Sequence, residues 1–475
     1  MIIKENMDEI LSYLEDSSNF SGGHCDKVYI PESEEDVVEI INTCNSKNIP
    51  LTISGGGTGT VGGRIPTQGS VISIERLNRI IDINQDKAIC EAGLVINQFL
   101  SESEKINRFY PPFPTERSAF IGGNTSTNAS GEYSFRFGPT RSYILKIRMV
   151  TGSGRLIEIP RGRYFADENG VIKTDFIQVK KPSYTTPKIK CSAGYFSAPK
   201  MDLIDLIIGS EGTLGVITYV EAMLVEKLPD RFIMIFFLPS EERMFEFLYE
   251  VKKDFIRDMY TLEFFDESSL SFLKSDFSEI PEKTCAFYIE SVNTIELMEK
   301  WLELSEKYQT KDVWVGNDPK NYQRLIDFRH RLPENINAYF RKLKITKISL
   351  DIAVPEENFR QLVNFYRKFS NESGIRTVLF GHIGENHLHF NLFPVDEREK
   401  TLARQIYVSC VEKALSLGGT ISAEHGIGKI KYPYLRMMYG DGGIEDMINV
   451  KKAFDPRGLI GRDNLFPADL LLQKL

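Results

Sequence analysis

Residues 50–63 read PLTISGGGTGTVGG, and six of the nine residues from Gly55 to Gly63 are glycine. Gly57-x-Gly59-x-x-Gly62 matches the dinucleotide-binding fingerprint as a string. A Rossmann turn needs a strand before those glycines and a helix after them. Pro50–Ser54 supplies the strand. The next stretch, Gly62-Gly63-Arg64-Ile65-Pro66-Thr67-Gln68-Gly69, is loop sequence, and Val71-Ile72-Ser73-Ile74 reads as another strand. No Gly-Lys-[Ser/Thr] is present after the run, so a P-loop fails as well. Two readings stay open at this stretch: a flexible loop, or a loop whose backbone approaches a diphosphate and turns N–H groups toward it. A second glycine-polar loop, GGNTSTN, begins at Gly122, and a third, GSEGTLGVIT, at Gly209. Three such loops beside strand-like sequence suit a large ligand wrapped by backbone.

The chain has 475 residues, enough for two or three domains. Its net charge of −8 argues against a nucleic-acid binder, whose affinity rests on clustered Lys and Arg. Six scattered cysteines, with no C-x-x-C, leave no iron–sulfur, structural-zinc or dithiol framework. They read as reduced thiols of a cytoplasmic protein, with no cluster of its own to carry electrons away. The start, MIIKENMDEILSYLEDSSNF, lacks the basic flank and apolar run of a signal peptide. No apolar stretch reaches ~18 residues, so no transmembrane segment is expected. Peripheral membrane contact stays open.

Along the chain, Val28–Pro31 reads as a strand before a capped helix that runs to about Lys47. Strand-like runs occur at 70–74, 80–84 and 88–92, then a helix at 95–105. Residues 111–141 read as a long loop region, and 160–200 as a polar excursion. A second α/β or α+β domain begins near Phe232–Leu238, with helices at 240–253, 356–370 and 404–417 and strands at 345–354 and 378–381.

Four of the six histidines fall between positions 382 and 425. The segment FGHIGENHLHFN (380–391) predicts two strands joined by a tight turn. In a strand, His387, His389 and Asn391 share one face, and the turn can fold His382 back toward them. Glu424-His425 comes later, in GGTISAEHGIGK. Nitrogen and oxygen donors in this mixture suit zinc and related divalent ions. Chemistry alone leaves both a metal site and a set of structural histidines open.

These stretches resemble the FAD-binding domain of the vanillyl-alcohol-oxidase/PCMH superfamily. More narrowly they resemble its FAD-linked oxidase branch of D-lactate, glycolate and D-2-hydroxyglutarate dehydrogenases. The first loop resembles that family's diphosphate loop. Pro111-Pro112-Phe113-Pro114-Thr115 with IGGNTSTNASGE resembles its isoalloxazine-side segment, and GSEGTLGVIT its signature. GHIGENHLHFN resembles Gly-His-x-Gly-Asp-Gly-Asn-Leu-His-x-Asn, with Glu385-Asn386-His387 replacing Asp-Gly-Asn. The resemblance spans nearly the whole chain. Other departures are Ser54, where many members carry Arg, and Gly461, where many carry Asn.

The resemblance implies an α+β protein: a two-subdomain PCMH-type FAD-binding domain (1–227), a substrate or cap domain with an antiparallel sheet (228–425) carrying the metal site, and a C-terminal segment (426–475) returning to the FAD domain. It implies noncovalent FAD cradled by Gly55, Gly56, Gly57, Thr58 and Gly59, with Gly122, Asn124 and Thr127 nearer the ring. Gly212 and Ile217 would meet the flavin through their backbone. His382, His389 and Glu424 would hold a divalent metal, zinc foremost, with His425 as catalytic base. Arg329, Asn391 and Lys347 would bind the substrate. The implied activity is oxidation of a 2-hydroxy acid, such as D-lactate, glycolate or D-2-hydroxyglutarate, to the 2-oxo acid by hydride transfer to flavin N5. Electrons would pass to an electron-transfer protein, a quinone or oxygen. A homodimer is compatible with this. Open alternatives are a noncatalytic FAD-binding subunit of a larger dehydrogenase, an FAD oxidase of a different alcohol, and a metal-dependent hydrolase.

Overall fold

Ser33 accepts a hydrogen bond from the Asp36 N–H and opens a helix over Glu34–Lys47, closed by Asn48 in the left-handed region. In the computed structural model, which describes residues 1–345 and 347–473, this helix comes after the second strand of a four-stranded sheet. The order there is Ile2–Lys4, Lys27–Ile30, Ser70–Ser73, Leu51–Ser54. Ser70–Ser73 runs parallel to both of its neighbours. Parallel strands need a crossover, which is usually a helix. Here residues 55–69 contain no helix, so the glycine run is itself the crossover.

A five-stranded antiparallel sheet comes next, in the order Ile80–Ile83, Lys87–Glu91, Gly215–Met223, Ile144–Thr151, Leu156–Pro160. The second and third glycine segments lie beside its central strands. One expectation is corrected here: residues 111–141 are not all loop, since Ile121–Thr127 is a short helix and Ser134–Phe137 another. Tertiary contact overrides the poor helix propensity of two glycines. The Gly122 N–H donates to the Ala92 carbonyl at 2.7 Å, and a Cβ at Gly122 would stand 2.6 Å from the Ala92 Cβ. The Thr125 and Thr127 hydroxyls donate back to the carbonyls of Ile121 and Gly123. The 160–200 excursion holds a hairpin, Val171–Lys173 with Gln178–Lys180, then runs irregularly to the functional site.

The third sheet is antiparallel and largest, in the order Asp312–Gly316, Arg231–Leu238, Cys285–Val292, Met259–Phe265, Arg376–Gly381, His387–Phe393, Ile348–Ser349, with Ile352–Ala353 also on the His387–Phe393 strand. Its central strands are apolar without alternation because both faces are covered. On one face Phe236 meets Phe247 and Trp301, and Trp301 stacks on Phe255 at 3.8 Å. On the other lies the Pro319–Leu343 helix. Asp318 accepts from the N–H groups of Lys320 and Asn321 at its start, and Leu325, Phe328, Leu332, Ile336 and Phe340 form its buried stripe. Phe328 packs against Phe265, Phe277 and Trp314. Its neighbour Arg329 is thereby aimed elsewhere, into the site. The chain end returns to the first sheet, where the Leu51 N–H donates to Leu459 O and the Gly461 N–H to Leu51 O.

Candidate active site

A cavity of about 350 Å³ connects the glycine loops to the histidines. Its walls include all five residues of Gly55–Gly59, and Gly122, Asn124, Thr127, Gly212 and Ile217. At its far end stand Arg329, His382, Glu424 and His425. The wall near the first loop fits FAD. Gly57 sits at φ +78°, and Gly59 and Gly123 leave open space where a Cβ would stand. Asn124 Nδ2 and Arg64 Nε are buried donors with no hydrogen-bond partner. Arg64, itself on the cavity wall, donates from Nη1 to the Gly55 carbonyl at 3.2 Å. It brings to the loop a positive charge that Ser54 lacks.

The histidines arrive on one hairpin. Arg376–Gly381 and His387–Phe393 pair with Phe380 opposite His389, and Asn386 in the left-handed region closes the turn. His382 Nε2 lies 3.5 Å from Glu424 Oε2, and His389 Nε2 lies 3.2 Å from Glu424 Oε1. Burial and the Lys190 charge oppose protonation of His382, but Glu424 and Glu263 outweigh them and raise its pKa to about 9. Burial likewise opposes the Glu424 charge, yet Lys190 and His382 hold its carboxyl well below the usual range. A negatively charged oxygen between imidazoles is what a divalent cation requires, and the donor set fits one.

His425 reaches the cavity with its Nε2 3.6 Å from Glu424 Oε1. Its Nδ1 lies 3.3 Å from Asp351 Oδ2. Asp351 is fully buried and also accepts from the backbone N–H groups of Glu424 and His425, the Ser422 hydroxyl and the Lys431 ammonium. Burial works against its charge, but Lys431, His425 and His387 keep the carboxyl well below its ordinary value.

Arg329 stands at the cavity with Nη2 2.7 Å from Glu263 Oε1, where Nε also donates. Its Nη1 lies 3.5 Å from Glu132, whose carboxylate meets His330 at 2.9 Å. Asn391 is fully buried next to the histidine face, and neither amide atom has a hydrogen-bond partner. Lys347 is exposed and does not join the others, and neither Asn391 nor His389 is on the cavity wall.

Four contributors escape sequence reading: Asp351, Glu263, Arg64 and Lys190. Asp351 and Glu263 carry a signal, since each is a lone carboxylate inside an apolar run, SLDIAV and TLEFF. Lys190 carries none. It comes from the irregular excursion and lies 2.8 Å from Glu424 and 2.9 Å from Glu385.

Two families match this chain in tandem: the FAD binding domain over residues 25–160 and the FAD linked oxidases, C-terminal domain, over residues 229–465. Together they account for more than three quarters of the chain. The chain belongs to the FAD-linked oxidase family and is an FAD-dependent oxidoreductase. It is 27% identical to the glycolate oxidase subunit GlcD of Bacillus subtilis, over 94% of this chain and 89% of that one. It is 27% identical to a D-lactate dehydrogenase of Archaeoglobus fulgidus, over 90% and 89%. A D-2-hydroxyglutarate dehydrogenase of Stutzerimonas stutzeri is 28% identical, over 93% and 91%. In fold, the chain resembles a 4-ethylphenol oxidase from Gulosibacter chungangensis, with a TM-score of 0.70 at 14% identity over 98% and 95%. An alkyldihydroxyacetonephosphate synthase gives 0.68 at 14% over 97% and 81%.

Proposed function

We propose that this chain oxidises a 2-hydroxy acid to the 2-oxo acid. The observation that carries the proposal is the single cavity that runs from the glycine cradle to Arg329, His382, Glu424 and His425. The names of the relatives supply the substrate class, a small D-2-hydroxy acid or glycolate.

Oxidation removes the hydroxyl proton and the carbinol hydrogen with its electron pair. When bound, FAD supplies the acceptor for that pair, and a divalent ion held by His382, His389 and Glu424, zinc foremost, supplies a Lewis acid for the hydroxyl oxygen. His425 takes the hydroxyl proton at Nε2. Asp351 holds Nδ1 on the opposite side of the ring and stabilises the imidazolium that results. Glu263, through Nε and Nη2, and Glu132, beside Nη1, fix the plane of Arg329 at the cavity wall, where its guanidinium meets the substrate carboxylate. Asn391, fully buried with unpartnered amide atoms and off the cavity wall, would act on the substrate from behind the histidine face. Lys347 is at most an outer charge. The electrons then leave to a separate acceptor.

His425→Ala and Glu424→Ala test this reading. Both variants should purify yellow with FAD and lose turnover by roughly 10²–10⁴-fold, the usual worth of a positioned acid–base group. A folded, FAD-replete His425→Ala protein that turns over at the wild-type rate contradicts it.

A further inference from the structure

We propose that His387 completes the metal site, so that His382, His387, His389 and Glu424 together hold one divalent ion through three nitrogens and one oxygen. The inference rests on the reading of His382, His389 and Glu424 as metal-binding. It adds a residue at a position where the family motif carries Asn.

Three observations carry it. His387 is fully buried, and neither of its ring nitrogens has a hydrogen-bond partner. A buried polar group left unpaired costs about 1–3 kcal/mol, so such a ring points to a partner the protein chain does not supply. Its place is the second observation. One ligand atom from each of the four residues can be chosen so that all lie within 4.8 Å of one another. The His387 ring centre is 4.6 Å from that of His389, two residues along the same strand, and 5.5 Å from that of His382. The third is Asp351. Its Oδ1 lies 3.1 Å from His387 Nε2, although the two are not aligned for a hydrogen bond. A metal-bound imidazole commonly turns its other nitrogen to a carboxylate, which fixes the ring and its tautomer. Asp351 is placed to serve His387 and His425 in the same way.

Three imidazoles and a carboxylate favour zinc, iron(II) or cobalt(II) over magnesium or calcium, which prefer oxygen. Four protein donors would match the ligand count of a structural zinc site, whereas a catalytic zinc site has three.

The test uses the FAD-loaded protein freed of metal by chelation. Zinc affinity is measured by chelator competition for wild type, His387→Asn and His389→Asn, and cobalt(II) is followed by its visible ligand-field bands. His387→Asn, which restores the family's residue, should weaken zinc binding by roughly 10-fold or more and change the cobalt spectrum while the flavin spectrum stays the same. Unchanged affinity and an unchanged cobalt spectrum in His387→Asn, with binding weakened in His389→Asn, overturn the assignment and leave the metal site standing. A wild-type protein that takes up neither ion overturns the metal reading itself. X-ray absorption on zinc-loaded wild type decides the matter even where the variant does not fold: three imidazoles are expected, and two overturn the proposal.

Discussion

At the scale of single residues, the geometry of the site turns on buried carboxylates. Asp351 gathers His425, His387, Lys431, Ser422 and the Glu424–His425 backbone around one buried charge. Asp351→Asn keeps the shape and removes the charge. We expect kcat to fall by roughly 10²–10⁴-fold with little change in KM and full flavin content, as for other orienting carboxylates. Equal losses in KM and flavin would mark Asp351 as merely structural. Glu211 gives a stability effect. It is buried, with its carboxylate accepting the N–H groups of Ile427 and Gly428, and burial raises its pKa to about 7 despite those bonds. Its folded pKa lies above its unfolded one, so its contribution is complete below about pH 4.5 and is lost as pH rises through about 7. Glu211→Gln should flatten the fall in Tm between about pH 5 and about pH 8. Parallel Tm profiles for the two proteins would contradict this. Residue types were readable as far as the Glu-His pair and the histidine run. Glu263 needed its strand to be seen as buried on both faces, Asp351 the break between the short strands Ile348–Ser349 and Ile352–Ala353, and Lys190 the path of an irregular segment.

Elements tell a similar story. The Glu34–Lys47 helix announces itself through Ser33, and the histidine hairpin through its alternation and turn. The glycine run matches a fingerprint yet acts as a helix-free crossover, because Ser70–Ser73 pairs parallel with Leu51–Ser54 in the same sheet. The Ile121–Thr127 helix is invisible locally, since only the approach to Ala92 makes two glycines helical. Gly57 at φ +78°, where a Cβ would also run into Arg64, should not tolerate a side chain. Gly57→Val is expected to lower FAD retention with an unchanged far-UV circular dichroism spectrum. Normal flavin content in that variant would remove the loop from the cofactor site. On the Pro319–Leu343 helix, Phe328 is fully buried among aromatic rings. Phe328→Ala should cost about 3–5 kcal/mol in denaturant unfolding. A loss under about 1 kcal/mol would mean the helix is held by something other than this stripe.

At the scale of the whole molecule, the site is built from parts more than 300 residues apart in sequence. The first sheet contributes the glycine crossover, the second the Gly212–Ile217 wall, and the third the hairpin and, through its covering helix, Arg329. Motif order in the sequence indicated which parts belong together; the sheet packing that brings them to one cavity did not show there. Among the described residues no helix is long and apolar enough to cross a membrane. The central claim is that this cavity lets a bound flavin take electrons from a 2-hydroxy acid. It is tested most directly by mixing the FAD-loaded protein anaerobically with D- and L-2-hydroxy acids and following the visible flavin absorbance. Bleaching by one D-2-hydroxy acid or by glycolate, slowed by prior chelation and absent in His425→Ala, is the expected result. A flavin that stays oxidised with every 2-hydroxy acid, yet is bleached at once by dithionite, would contradict the account.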